Sequence, residues 1–382
     1  MPKSKNRKRS VPLVFADTHK SADQLYVGKF SVPDPFISFK KGRKWYAVLN
    51  QLEYARALKE SAFDEVLPLE DWLKKATGCF PSGKVGYVEI IATLAQAFKF
   101  EAFKVASDFP AGIALGLIEK GLAVNVSEGS LFPEREIKSE KELQLIKEGN
   151  GCSAAGIRAA EQALKDSVIK KGKLYLEGKA LTSERLREVI EIACLRKGSL
   201  SMDTIAAAGA QACDPHCAGH GPIRANELII VDVFPRVSKS GYFGDMTRTF
   251  LKGTPSDDQS RLVSSVNKVQ KEAIKAVKVG VKANSIHQHV MNRFISLGYE
   301  TRRDKSGAVG FIHGTGHGLG LEVHEAPRVS IADNRLKENA VITIEPGLYY
   351  PEIGGCRIED VVAVGKEKPI KLSSYHYNWV IA

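Results

Sequence analysis

Four stretches of this 382-residue chain place acidic side chains among apolar neighbours. IIVDVFPRVSKSGYFGDMTRTF carries Asp232 and Asp245, and FIHGTGHGLGLEVHEAP carries His313, His317, His324 and Glu325. ITIEPG carries Glu345, and GGCRIEDVVAV carries Arg357, Glu359 and Asp360. The apolar runs around them predict strands over Leu228–Phe234, Tyr242–Phe250, Ala340–Ile344 and Arg357–Val364. A carboxylate in a buried strand is costly unless its charge is compensated. A salt bridge or partial exposure explains any one of them. It does not explain four beside a glycine-flanked histidine, because the basic residues nearby are too few. Divalent ions would compensate them. Four carboxylates and one imidazole suit a pair of ions that share bridging carboxylates. The oxygen-rich set points to Mn²⁺, with Co²⁺, Fe²⁺ or Zn²⁺ as alternatives. Two ions roughly 3.5–4 Å apart can lower the pKa of a water between them and polarise a carbonyl.

The candidate ligands run Asp232, Asp245, His317, Glu345, Glu359. This order resembles the pita-bread metallopeptidases, the family of methionine aminopeptidase, Xaa-Pro aminopeptidase and Xaa-Pro dipeptidase (prolidase), which bind two metals through the same residue types in the same order. The resemblance implies that Asp232 chelates one ion, that Asp245 and Glu359 bridge both, and that His317 and Glu345 hold the other. It also implies a proton-shuttling role for Glu345. Asp232 and Asp245 stand 13 residues apart, against 11 in the usual family pattern. The extra residues fall in the turn around Arg236–Gly241. Strand faces alternate with period two, so an insertion of two keeps both Asp side chains on one face.

Three further histidines match the family's spacing. His324 follows His317 by seven residues, His313 precedes it by four, and His216 lies sixteen residues before Asp232 in DPHCAGHG. The resemblance makes all three catalytic and substrate-binding, donating hydrogen bonds or protons to a tetrahedral intermediate. Each alone reads equally as a hydrogen-bonded core residue. His19, His287, His289 and His376 lie outside the motifs and read as surface or structural, and His220 fits the spacing less well. The run Cys213-x-x-His216-Cys217-x-x-His220 invites a zinc reading, but structural zinc takes two ligands from each of two separated segments. The GG-x-R-I-E-D pattern resembles the Xaa-Pro enzymes rather than methionine aminopeptidase, while creatinase shares the fold without the ligands. In that branch Arg357 binds substrate, its fork of donors holding a carbonyl or carboxylate. A salt bridge to Glu359 or Asp360 is the plainer alternative. The implied activity is hydrolysis of the bond before proline by a metal-bridging hydroxide, on peptides (Xaa-Pro aminopeptidase) or only on dipeptides (prolidase). The non-enzyme alternative is a pita-bread binding protein that has lost catalysis.

Two folded units must position these residues. Short apolar runs predict strands at Val11–Ala16, Trp45–Leu49, Val85–Val88 and Leu122–Val126, with helices at Gln51–Ser61 and Ile91–Phe98. This makes 11–130 an α/β domain, creatinase-like by resemblance, and Glu128–Pro133 reads as a linker. A long helix starts at Ser139, whose spacing to Glu142 is that of a capping box, and its apolar stripe is interrupted at Gly149–Gly151. Further helices follow Thr182, span Asp257–Val277 and follow Asn284. Residues 135–382 therefore form an α+β domain, which the resemblance makes the pita-bread catalytic domain with a curved antiparallel sheet.

Hydrophobic residues at 43 % and charged residues at 26 % exclude a disordered chain, a collagen-like fibre and a disulfide miniprotein. No apolar run approaches the roughly 18 residues of a membrane span, so no membrane partner is expected, and no secretion signal is seen. The net charge is +11. Lys3, Lys5, Arg7, Lys8 and Arg9 make residues 1–10 a basic tail, read as a solvated, disordered terminus rather than a nucleic-acid arm. Six cysteines without a disulfide spacing fit a reducing cytoplasm. The expected partners are a small peptide or dipeptide with proline second and, by resemblance, a second copy in a homodimer.

Overall fold

The computed structural model describes residues 10–81, 83–304 and 307–382. The basic residues of the tail, Lys3 to Arg9, lie outside them. The chain divides into two compact units, Met1–Arg135 and Glu136–Ala382. None of the described helices is long and apolar enough to cross a membrane, and the six cysteines are unpaired.

The first unit is built on a 6-stranded sheet in the order Glu65–Pro68, Lys44–Leu49, Phe36–Lys41, Val11–Ala16, Ala102–Val105, Ala123–Val126. The strand Val11–Ala16 pairs antiparallel with Phe36–Lys41 and parallel with Ala102–Val105. Its core gathers Leu13, Ile37, Phe39, Val48, Trp72, Ile91 and Leu94, with Phe39 stacked on Tyr46 at 5.0 Å between ring centres. The expected strand at Val85–Val88 is absent. The Gly86 N–H donates to the Glu89 carboxylate at 2.9 Å, which starts the helix Tyr87–Phe98 there instead.

The second unit carries the acidic motifs. Its first helix, Glu140–Asp166, opens on the Ser139–Glu142 capping box. It runs unbroken through Gly149–Gly151, where its apolar stripe is interrupted. Gly149 admits a crossing chain: a Cβ on Gly149 would lie 2.6 Å from the Gly244 nitrogen, and one on Gly244 would lie 2.1 Å from the Gly149 carbonyl. Ile157, Ala160 and Leu164 of this helix pack with Ile190, Ile229, Val231, Val233, Met246 and Phe250. Ile229, Val231 and Val233 thus face the helices, and by alternation Asp232 faces away.

Two sheets meet at the motifs. One runs Ile205–Ala208, Ile229–Val233, Met246–Lys252, Val380–Ile381; the other runs Glu325–Val329, Gly316–Gly318, Val341–Ile344, Asp360–Ala363, Ile370–Lys371. The helix Asp257–Ala276 covers the second through Leu262, Val266 and Val269 against Ile342, Ile344 and Val362. Helices and mostly antiparallel sheets make the unit α+β, as expected. Two strand boundaries differ from expectation. The strand expected from Tyr242 begins at Met246, because the Asp245 N–H donates to the Asn150 side chain rather than to a strand. The run expected over Arg357–Val364 is two strands broken at Ile358 and Glu359, because the Glu359 N–H donates to the Thr247 carbonyl of the other sheet.

Candidate metal centre

The five carboxylate and imidazole residues arrive from five places, Glu345 from just past the strand Val341–Ile344. Asp232 sits on Ile229–Val233 directly opposite Thr247, and opposed residues of an antiparallel pair share a face. Asp245, two residues before Thr247, lies on that face too, as the parity argument requires. Glu359 enters from the strand break, its carboxylate accepting the Thr247 hydroxyl at 2.7 Å. His317 stands on Gly316–Gly318, a strand so close to Val341–Ile344 that a Cβ on Gly316 would lie 1.9 Å from the Thr343 carbonyl oxygen. Its N–H donates to the Thr343 hydroxyl and its Nδ1 bonds the Gly318 carbonyl at 3.1 Å, which turns Nε2 to the acids. Nε2 lies 3.3 Å from Glu345 Oε1 and 3.7 Å from Asp245 Oδ2. Ligand atoms of Asp245, His317 and Glu359, all buried, lie within 4.8 Å of one another. No comparable group forms from Cys213, His216, Cys217 and His220 among the described residues.

Burial is the largest influence on Asp245, Glu359, Glu345, His313, His317 and His324. It raises Asp245 well above the usual carboxylate range, and the charges of Glu359, Asp232 and Glu345 add to this. Glu359 is raised well above that range by burial, with Glu345 and Asp232 adding. Glu345 is raised by burial more modestly, because His313 and Arg357 oppose the shift. Burial pushes His317 and His324 down to about 4 and lowers His313. Asp232 meets the cluster's cation: Arg357 Nη2 donates to Oδ2 at 2.7 Å. Its other oxygen, Oδ1, is buried and has no partner among the described residues, and such orphans are rare in folded proteins.

The remaining predicted residues divide. His324 stacks edge-on to His317 with ring centres 4.3 Å apart. His313 is engaged at both nitrogens, Nδ1 with the Gly314 carbonyl at 2.7 Å and Nε2 with the Tyr349 hydroxyl at 2.8 Å. Arg357 Nη1 donates to the same hydroxyl at 2.9 Å. The Gly314 carbonyl only accepts, so Nδ1 carries the proton, and in the neutral ring Nε2 accepts the Tyr349 O–H while the hydroxyl oxygen accepts from Arg357. Arg357 thus pairs with Asp232, not with Glu359 or Asp360. His216 is exposed and held by its own N–H on Asp214. Sequence reasoning missed Tyr349, Thr247 and Asn150. Tyr349 pairs across a hairpin with Gly355, and its ring lies against Gly347, where a Cβ would lie 2.5 Å from the Tyr349 hydroxyl; the glycine that ends ITIEPG was the signal that a ring packs there.

Residues 144–366 match the model of metallopeptidase family M24. A Xaa-Pro dipeptidase of Pyrococcus horikoshii is 34% identical over 241 residues, covering 63% of this chain and 63% of that protein. The chain therefore spans less than two thirds of that relative's length in the match. Among solved structures, a Xaa-Pro dipeptidase of Bacillus anthracis superposes with a TM-score of 0.80 at 20% identity, over 97% of this chain and 95% of that one. An X-Pro aminopeptidase of Thermotoga maritima superposes with a TM-score of 0.78 at 20% identity, over 97% and 98%. At that identity the likeness shows the fold, which is the pita-bread fold.

Proposed function

The chain belongs to metallopeptidase family M24, and on that premise we propose that it is a two-metal exopeptidase hydrolysing the peptide bond before proline. The observation that carries this reading is the buried acidic cluster with Asp232 Oδ1 left unpartnered among the described residues. Carboxylates crowded into one buried place, one with an orphaned oxygen, fit cations better than they fit one another. Asp232, Asp245, His317, Glu345 and Glu359 would hold the ions, Mn²⁺ first, with Co²⁺, Fe²⁺ or Zn²⁺ as alternatives. The ions supply Lewis acidity, which acidifies water and polarises the scissile carbonyl.

The chain's own groups do the rest. The Glu345 main chain is pinned by its N–H on the Thr315 carbonyl at 2.8 Å, and its carboxylate moves the proton of the attacking water to the proline nitrogen. His324 is neutral near pH 7 and offers an N–H to the carbonyl oxygen as charge develops there. His216, exposed, meets the substrate as well. His313, whose nitrogens are both engaged, aligns Tyr349 and Arg357 rather than donating. Arg357 orients Asp232 and keeps one Nη1 hydrogen, free among the described contacts, for a substrate carbonyl. Proline has a fixed φ and no N–H, so a pocket shaped to it gains from preorganisation. Residues 11–130 are the creatinase-like domain and 135–382 the catalytic domain of this proposal, which further places a homodimer in the cytoplasm.

A dipeptide-only activity is the second reading, favoured by the likeness to the Xaa-Pro dipeptidase that is 34% identical. The test is turnover of Ala-Pro, Ala-Pro-Ala, Ala-Ala-Ala and Met-Ala-Ser with Mn²⁺ present. Proline in second place should raise kcat/KM roughly 10- to 200-fold over alanine, the range that one or two ring contacts give. Cleavage of Ala-Pro alone selects the dipeptidase, and preference for Met-Ala-Ser overturns the proline reading. Metal bound with no turnover of any peptide supports the binding-protein alternative.

A further inference from the structure

Arg248 is 2% exposed and lies on the strand that follows Asp245. By alternation it shares a face with Met246 and Phe250, away from the acidic cluster. Five N–H donors make five hydrogen bonds. Nε donates to the His376 carbonyl at 3.0 Å, and Nη2 donates to Asp360 Oδ1 at 2.9 Å and to the Tyr375 carbonyl at 3.1 Å. Nη1 donates to the Thr247 carbonyl at 2.8 Å and to the Glu359 carbonyl at 2.7 Å. That last nitrogen joins the two sheets, because Thr247 belongs to one and Glu359 sits at the edge of the other. Asp360 is fully buried and equally saturated. Ser373 donates to Oδ1 at 2.8 Å, while Gln270 and Tyr377 donate to Oδ2 at 2.9 and 2.6 Å.

Asp245 rides on the first sheet and Glu359 on the second, so the joint between the sheets sets how far apart their carboxylates stand. We propose that Arg248 and Asp360 are positioning residues for the metal centre, and that the irregular segment 372–379 is the strap that locks them. An arginine is suited to this because its planar fork fixes several acceptors at once, which a lysine cannot do. The inference rests on the two-metal reading and adds to it: residues that touch neither ion nor substrate govern how tightly the ions are held.

The experiment is a calorimetric Mn²⁺ titration of the full chain and of Arg248→Lys, Asp360→Asn and Tyr377→Phe, with thermal melts to measure the folded fraction. Arg248→Lys should bind Mn²⁺ about 10- to 100-fold more weakly, the usual effect of removing a group that orients metal ligands. Saturating Mn²⁺ should restore most of kcat, with KM for Ala-Pro unchanged. Tyr377→Phe removes one donor to Asp360 from a partly exposed position and should weaken binding a few-fold. It carries the test should the other variants fail to fold. Folded variants that bind Mn²⁺ as the wild type does, with only a lower melting temperature, overturn the proposal while leaving the metal reading intact. A wild type that binds no divalent ion overturns both.

Discussion

Two buried arginine–carboxylate pairs flank Glu359, and they differ in one respect. Asp360, paired with Arg248, has both oxygens engaged by Arg248, Ser373, Gln270 and Tyr377. Asp232, paired with Arg357, has one oxygen engaged and the other buried without a partner among the described residues. The same chemistry therefore serves two purposes. Where every lone pair is met, charge is held below its ordinary proton affinity despite burial, and Asp360 is indeed lowered, with Arg248 the leading opponent of desolvation. Where acids face one another with an oxygen left over, Asp245 and Glu359 are driven the other way. The contrast separates a structural polar network from the proposed ligand set without reference to the family.

The largest effect belongs to Glu359→Ala. Peptidase activity should fall at least ~100-fold, beyond the range for groups that merely orient ligands, and manganese should be lost on elemental analysis. Normal metal content with full activity would break the contrast at once. Next comes the comparison of the two pairs by urea denaturation of metal-free protein. Asp360→Asn leaves Arg248 buried without a counter-charge and should cost about 3–5 kcal/mol. Asp232→Asn should cost less, because it also relieves repulsion on Asp245 and Glu359. Equal losses would mean that the pairs are alike.

These differences were partly legible in the sequence. The Asp232, Asp245, Glu345 and Glu359 positions stand out because acids are conspicuous in apolar strands, and Ser139 with Glu142 announced its helix. Arg248 did not stand out. In Thr-Arg-Thr on an alternating strand it reads as an exposed position, and what buries it is a segment 128 residues later in the chain. Tyr349 was hidden for a related reason: a Tyr in an apolar hairpin reads as core, and only the fold brings Arg357 and His313 to its hydroxyl. Val85–Val88 misled because Val, Tyr and Val have strand propensity, while one hydrogen bond from Gly86 to Glu89 decides for helix. Local patterns were readable; contacts supplied from far along the chain were not.

A smaller effect sharpens the contrast through pH. Asp245 and Glu359 bind protons more tightly in the folded metal-free chain than in the unfolded one, so their contribution to stability falls as pH rises above the ordinary Glu value of 4.5. Metal-free Glu359→Gln should therefore gain stability relative to metal-free wild type across that rise, and saturating Mn²⁺ should reverse the order. A constant difference between the two proteins from pH 4 to 8 would contradict the crowding of the acids. The smallest effect is expected from Tyr349→Phe. Losing one hydroxyl between Arg357 and His313 should cost about 1 kcal/mol of stability and up to ~10-fold in kcat/KM, with Mn²⁺ affinity unchanged because the Asp232–Arg357 pair survives.

The most direct measurement is anomalous scattering at the manganese edge from crystals grown with Mn²⁺. Two peaks are expected, both within bonding distance of Asp245 and Glu359, one also reached by Asp232 and the other by His317 and Glu345. No peak at these side chains, or a peak only among Cys213, His216, Cys217 and His220, would contradict the two-metal reading.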